Sequence, residues 1–190
     1  MRLFVALDLS PQLFERVVAY QAQMKQLLPH EKWVRPETLH ITLKFIGETK
    51  ETDAIQRELA NIHLPPFEVA IKGVGFFTPE HPRVFYAGID GGRELPHLAE
   101  CVDLACSQHG IARNKDPYKP HLTLARSGSG KPAGTPRDRK THQMSALRDL
   151  VAPLPPPDFG TMTATEFFLY ESRLSSAGAQ YIKLARYQLK

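Results

Sequence analysis

Two four-residue phrases constrain this chain more than anything else in it. His40-Ile41-Thr42-Leu43 and His121-Leu122-Thr123-Leu124 are near copies, about half a chain apart. Each sets a histidine and a threonine two residues apart among apolar neighbours. In a strand, residues i and i+2 project from the same face. Each phrase therefore presents one imidazole and one hydroxyl together, with the intervening side chains packed away. Two such strands facing each other would make a site with two imidazoles and two hydroxyls, the apolar faces packed on helices and the His/Thr faces lining a cleft.

The rest of the chain reads as support for those strands. Leu3 to Leu9 is a first strand. Ser10-Pro11 is an N-cap followed by proline at the first helical position, and Leu13, Val17, Met24 and Leu27 follow at helical spacing up to Pro29. Trp33-Val34 is a short extended piece, Arg35-Pro36-Glu37 a turn, and Leu39 to Ile46 the strand of the first phrase, ended by Gly47. A short helix spans 52–61. Strands follow at 67–77 and 83–89, then a helix over 95–109 stopped by Gly110. Ile111 begins another extended piece, and Pro120 leads into the second phrase. Ser127 to Arg139 is a Gly-, Ser- and Pro-rich surface loop. Its basic residues Lys131, Arg137 and Arg139, with Lys140, either brush an RNA backbone or are merely solvated. A short helix at 144–150, a proline connector at 153–157 and a closing hairpin of strands (163–172 and 180–189) complete the chain. The order strand, long helix, extended piece, phrase-bearing strand occurs twice. The expected organisation is one domain over 1–190 with two interleaved lobes, and 127–157 as a variable connector.

Strict alternation puts His40, Thr42 and Lys44 on one face and Ile41, Leu43 and Phe45 on the other. In the second phrase it sets His121, Thr123 and Ala125 against Leu122, Leu124 and Arg126. On that pattern Lys44 adds positive charge beside His40. Arg126 reaches a phosphate only if a local twist or bulge turns it. Phe45, Trp33 and Tyr118 are candidates for stacking on a base, with core packing the default for the first two.

An unperturbed histidine has a pKa of about 6.5, so a neutral and a protonated imidazole can coexist near neutrality. The neutral one can take a proton from water while the charged one gives a proton to a leaving oxygen. Threonine hydroxyls can donate to phosphate oxygens between them. A strained cyclic phosphodiester suits that arrangement. With no Asp, Glu or Cys at ligand spacing, two histidines would under-coordinate a metal, so the expectation is a site with no metal or cofactor. His30, His63, His81, His97, His109 and His142 lack this context and receive no role.

The net charge of +4 over 190 residues suits a polyanion such as RNA but is common elsewhere. Cys101 and Cys106 are not a CxxC pair and fall in a helix, as buried apolar residues suited to a reducing cytoplasm. No apolar run has the length of a membrane span, and Asp8 interrupts the opening where a signal peptide would stay apolar. The default is a cytoplasmic monomer.

The two phrases, with RLFVALDL, WVRPETLHITLKFIGE, PRVFYAG, YKPHLTLAR and FFLYESRLSSAGAQYIKL in order around them, resemble the two-histidine phosphoesterase superfamily, and within it the RNA 2′,3′-cyclic phosphodiesterases, also called 2′-5′ RNA ligases. The resemblance implies a bilobed α+β fold: a pseudo-twofold duplication with two antiparallel sheets lining a central cleft and helices outside. It implies hydrolysis of a terminal 2′,3′-cyclic phosphate on RNA, tRNA halves among the substrates, to a 2′-phosphate. His40 would be the proton donor and His121 the acceptor, with Thr42 and Thr123 holding the phosphate. A 5′-hydroxyl RNA end in place of water would give a 2′-5′ linkage without ATP. The alternatives are a cyclic phosphodiesterase acting on a small nucleotide, and a non-catalytic nucleotide- or RNA-binding module. The presence of both histidines and both threonines argues against the last.

Overall fold

The computed structural model describes residues 1–29, 31–78, 80–127, 138–176 and 178–190. Lys131 and Arg137 of the expected basic loop lie outside that set, as do His30 and the side chains of Arg139, Lys140 and His142. In chain order the elements are β1 (Arg2–Leu7), α1 (Pro11–Leu27), β2 (Lys32–Trp33), β3 (Ile41–Glu48), α2 (Thr52–Ala60), β4 (Phe67–Phe77), β5 (Val84–Asp90), α3 (Glu94–Ser107), β6 (His121–Arg126), α4 (Asp138–Val151), β7 (Asp158–Ala164), β8 (Glu166–Ser175) and β9 (Gly178–Gln188). The fold is α+β. One sheet runs β3-β1-β8-β9 and the other β2-β6-β5-β4-β7, with every pairing antiparallel.

Local chemistry explains the elements that lead to the histidines. The Ser10 side chain accepts from the Leu13 N–H, capping α1, and Pro11 occupies its first turn. Leu13, Val17, Gln21 and Met24 form the buried stripe of that helix. Pro36–Thr38 makes a single 3₁₀ turn that delivers the chain to His40. Gly110, with φ of 78°, turns the chain after α3.

The two long helices cross over. α1 leaves β1 of the four-stranded sheet but packs on the five-stranded one. Tyr20 meets Phe159 of β7 edge-on at 5.3 Å, Arg16 donates to the Phe159 carbonyl, and Gln21 donates to the carbonyls of Val34 and Leu124. α3 leaves β5 of the five-stranded sheet but packs on β3 of the other, where its Asp103 pairs with Lys44. One continuous apolar core takes side chains from both sheets and from all four helices, including Ile55 and Leu59 of α2, Leu98 and Val102 of α3, and Met144 and Leu147 of α4. Among the described residues, no helix is long and apolar enough to cross a membrane.

Three sequence expectations change. β7 is a strand that the sequence does not announce, because residues 163–164 read as the start of the next one. Gly160 adopts φ of 104° and the register slips against β4 between Ile71 and Lys72, which breaks the alternation that marks a strand. α4 begins at Asp138, so the expected loop gives way to helix sooner. Gly47 does not end its strand; it sits inside β3 at φ of 83°, beside a register shift against Leu3 and Phe4.

Candidate active site

The two phrases come together where the sheets meet. β3 is the edge of the four-stranded sheet and lies against β6 of the other. The Tyr118 hydroxyl donates to the Thr42 carbonyl at 2.9 Å, tying the segment before β6 to the first phrase. His40 and His121 lie within electrostatic range of each other, and Arg126 acts on both.

Each imidazole is held in the same way. Nδ1 of His40 lies 2.7 Å from the Thr38 carbonyl and Nδ1 of His121 lies 2.8 Å from the Lys119 carbonyl. A carbonyl can only accept, so Nδ1 carries the proton in both and donates it. In the neutral ring this leaves Nε2 as the nitrogen with the free lone pair. His63 makes the same local bond to Asn61 on the outer surface, so the bond alone defines no site; the pairing does. Two rings frame each imidazole. Phe4 lies 4.8 Å from His40 with Tyr181 edge-on at 5.3 Å. Phe77 is edge-on to His121 at 4.8 Å and Tyr86 at 5.9 Å. Gly75 makes the second frame possible, because a Cβ there would stand 2.6 Å from the Tyr86 hydroxyl.

These apolar walls shift both imidazoles. Burial lowers the His40 pKa from 6.5, with Arg126 and His121 acting in the same direction against its bond to Thr38 and the charge of Asp8. Burial likewise lowers that of His121, again with Arg126 and against its bond to Lys119.

Strict alternation fails once in β6 and twice in β3, and in each strand the failure just past the threonine builds the site. Val5 pairs with Lys44 and Ala6 with Thr42, leaving Leu43 as an extra residue. Phe85 pairs with Ala125 and Tyr86 with Thr123, leaving Leu124 extra. These are β-bulges at equivalent positions. Beyond each, the side chains exchange faces. Lys44, expected beside His40, is instead buried in the core with Asp103, where its ammonium also donates to the Ala112 carbonyl at 3.0 Å. Phe45, expected in the core, is 65% exposed and faces Phe4 on the His40 side. Ala125 is buried rather than beside His121. Arg126 takes its place, with Nη2 3.3 Å from the Thr123 hydroxyl.

Both bulges are braced from beneath. The Leu124 carbonyl accepts from the Val34 N–H at 2.9 Å and from Gln21 at 2.8 Å. Asp103 accepts from Lys44, from Arg113 at 2.7 Å and from the Asn114 N–H at 3.1 Å. Burial alone would raise the Asp103 pKa, but these partners hold it below the usual carboxylate value.

Trp33 is a structural residue, donating to the Leu28 carbonyl. Tyr118 is committed to Thr42. Sequence reasoning overlooked the framing rings. For Phe4 a signal was available in β1, where Phe4 and Ala6 alternate with the core residues Leu3, Val5 and Leu7: apolar residues on both faces mean burial on both. Among the described residues, no three His, Cys, Asp or Glu side chains gather as a set able to hold a metal ion.

This build is that of solved phosphoesterases. The chain matches LigT of E. coli, crystallised with NADP+, at a TM-score of 0.76 and 28% identity, covering 99% of this chain and 96% of that one. It matches a structure described as a phosphoesterase at 0.75 and 26%, covering 99% and 97%. The chain belongs to the 2′-5′ RNA ligase superfamily, whose pattern matches residues 9–173. It is 34% identical over 184 residues to the RNA 2′,3′-cyclic phosphodiesterase of Archaeoglobus fulgidus, covering 95% of this chain and 96% of that protein.

Proposed function

We propose that this protein is an RNA 2′,3′-cyclic phosphodiesterase. The observation that carries the reading is the pair of imidazoles, each with Nδ1 committed to a backbone carbonyl, with an arginine acting on both. The name of the Archaeoglobus relative supports the substrate.

In this reading the cyclic phosphate lies between the two Nε2 atoms. Thr42, Thr123 and Arg126 donate to its non-bridging oxygens, where negative charge builds in the transition state. His121 takes a proton from water as the water oxygen bonds to phosphorus. The P–O3′ bond breaks, and protonated His40 gives its proton to O3′. The product carries a 2′-phosphate and a free 3′-hydroxyl, and the two histidines have exchanged protonation states. With an RNA 5′-hydroxyl in place of water, the same transfers form a 2′-5′ linkage. The P–O bond broken in the strained ring supplies the driving force, so ATP is not required. Exposed Phe45 beside the His40 frame offers a stacking face for the terminal base.

The test is incubation with a short RNA ending in a 2′,3′-cyclic phosphate, with chelator and without ATP, beside His40→Ala and His121→Ala. Conversion to the 2′-phosphate by the parent alone supports the mechanism. A 3′-phosphate product would reverse the leaving oxygen. No product, with all three proteins binding the RNA equally, would favour a binding module.

A further inference from the structure

A groove of about 390 Å³ opens beside His40, within the range of small-ligand sites. Its walls include Asp8, Phe14, Thr38, Tyr170 and Tyr181, with Lys183 toward solvent. Tyr181 and Lys183 are two apart on β9 and so share a face. Tyr181 is the ring edge-on to His40, so the groove is continuous with the frame of that histidine.

Lys183 is fixed in place but not used up. Its ammonium lies 2.5 Å from an Asp8 oxygen and 3.9 Å over the Phe168 ring, while its side chain is 51% exposed. Asp8 also accepts from the Tyr170 hydroxyl, so its charge is shared between two donors. An ammonium has three donors, and the exposed side of this one remains open to an anion arriving from the groove.

The reaction sets which part of the substrate lies here. O3′ receives its proton from His40, so the terminal ribose sits on the His40 side. Water or an incoming 5′-hydroxyl approaches from the His121 side. The RNA strand 5′ of the cyclic end must therefore leave past His40, toward the groove. We propose that the groove is a subsite for the nucleotide immediately 5′ of the cyclic end, with Lys183 contacting the last phosphodiester and Tyr181 supporting the adjoining sugar or base. Neither contact carries base identity, so the subsite recognises a polynucleotide rather than a sequence. This rests on the assignment of His40 as proton donor. It selects RNA over a free cyclic mononucleotide as the substrate class.

The experiment compares kcat/KM for a 2′,3′-cyclic mononucleotide with that for a dinucleotide ending in the same cyclic phosphate, in the parent and in Lys183→Ala and Tyr181→Leu. One stacked nucleotide and one phosphate contact predict a preference for the dinucleotide of about tenfold or more in the parent. The preference should fall toward unity in both variants. Using the ratio cancels any effect of freeing Asp8 on His40, since both substrates meet the same imidazole. Equal kcat/KM for the two substrates in the parent overturns the subsite and leaves the proposed reaction standing. So does a preference that neither variant reduces. A 3′-phosphate product makes O2′ rather than O3′ the oxygen that leaves beside His40, which turns the ribose over and removes the argument for the groove. Failure of the parent to turn over either substrate overturns the reaction itself, and the subsite with it.

Discussion

An imidazole serves acid–base chemistry best when one nitrogen is committed and the other is not. Here the commitment is made within three residues of chain, from Nδ1 to the carbonyl two positions back, in both histidines. The lowered pKa values then set a pH dependence. Above 6.5 both imidazoles of the unliganded protein are largely neutral, so the donor is missing; well below it the acceptor is lost. The expected kcat/KM profile is a bell with its optimum below pH 6.5. Arg126 lowers both values, so Arg126→Gln should move both limbs to higher pH. In the proposed reaction, losing the hydrogen bonds it gives the phosphate should also cost about a hundredfold in kcat. A pH–rate series on the two proteins checks this. An Arg126→Gln profile that falls in height without moving would mean that Arg126 holds phosphate but does not tune the histidines. That the two histidine–threonine phrases meet was legible because identical local phrases need identical local surroundings. Arg126 was legible only as a conditional, since its face depends on one inserted residue.

At the scale of elements, that inserted residue decides most of what the sequence left open. Nothing in Thr42-Leu43-Lys44-Phe45 or Thr123-Leu124-Ala125-Arg126 marks a bulge. The register shift exists in relation to β1 and β5, and the partners that brace it come from helices far away in sequence. Lys44 illustrates the cost of reading one strand alone: alternation sends it to the cleft, whereas Asp103 of α3 receives it in the core. Its buried pair gives a sharp stability expectation. Lys44→Met leaves Asp103 with only half-exposed Arg113 as a charged partner and should destabilise the fold by about 3 kcal/mol. Asp103→Leu added to it should recover part of that loss, because the stranded charge is gone. Urea denaturation of the single and double variants measures both. Equal midpoints for Lys44→Met and the parent would show that the pair does not hold this strand.

At the scale of the whole molecule, the long helices exchange sheets, so each phrase-bearing strand is supported by a helix that follows a strand of the other sheet. Gln21 is the narrowest of these links, one buried amide reaching the carbonyls of Val34 and Leu124. Gln21→Leu removes both bonds and leaves the Leu124 carbonyl with Val34 alone. A loss of about 1–3 kcal/mol is expected. If the link positions Arg126, kcat should fall more than KM rises, and both limbs of the pH profile should drift upward as the guanidinium moves from the histidines. A stability loss with unchanged kcat would confine Gln21 to the fold. The crossing itself was not legible: helical periodicity says that a face is buried but not against which sheet.

The equivalence of the two bulges has a last consequence. Five residues beyond each histidine the strands present the same position to the cleft, and there they differ: Phe45 on one side, Arg126 on the other. Two near-identical half-sites joined by a rough twofold would bind a strand equally well in either polarity. A flat ring facing a forked cation breaks that tie. One half can favour a base and the other a phosphate oxygen, so in the proposed reaction the molecule distinguishes the 3′ direction from the 5′ by a single mismatched pair in an otherwise matched design.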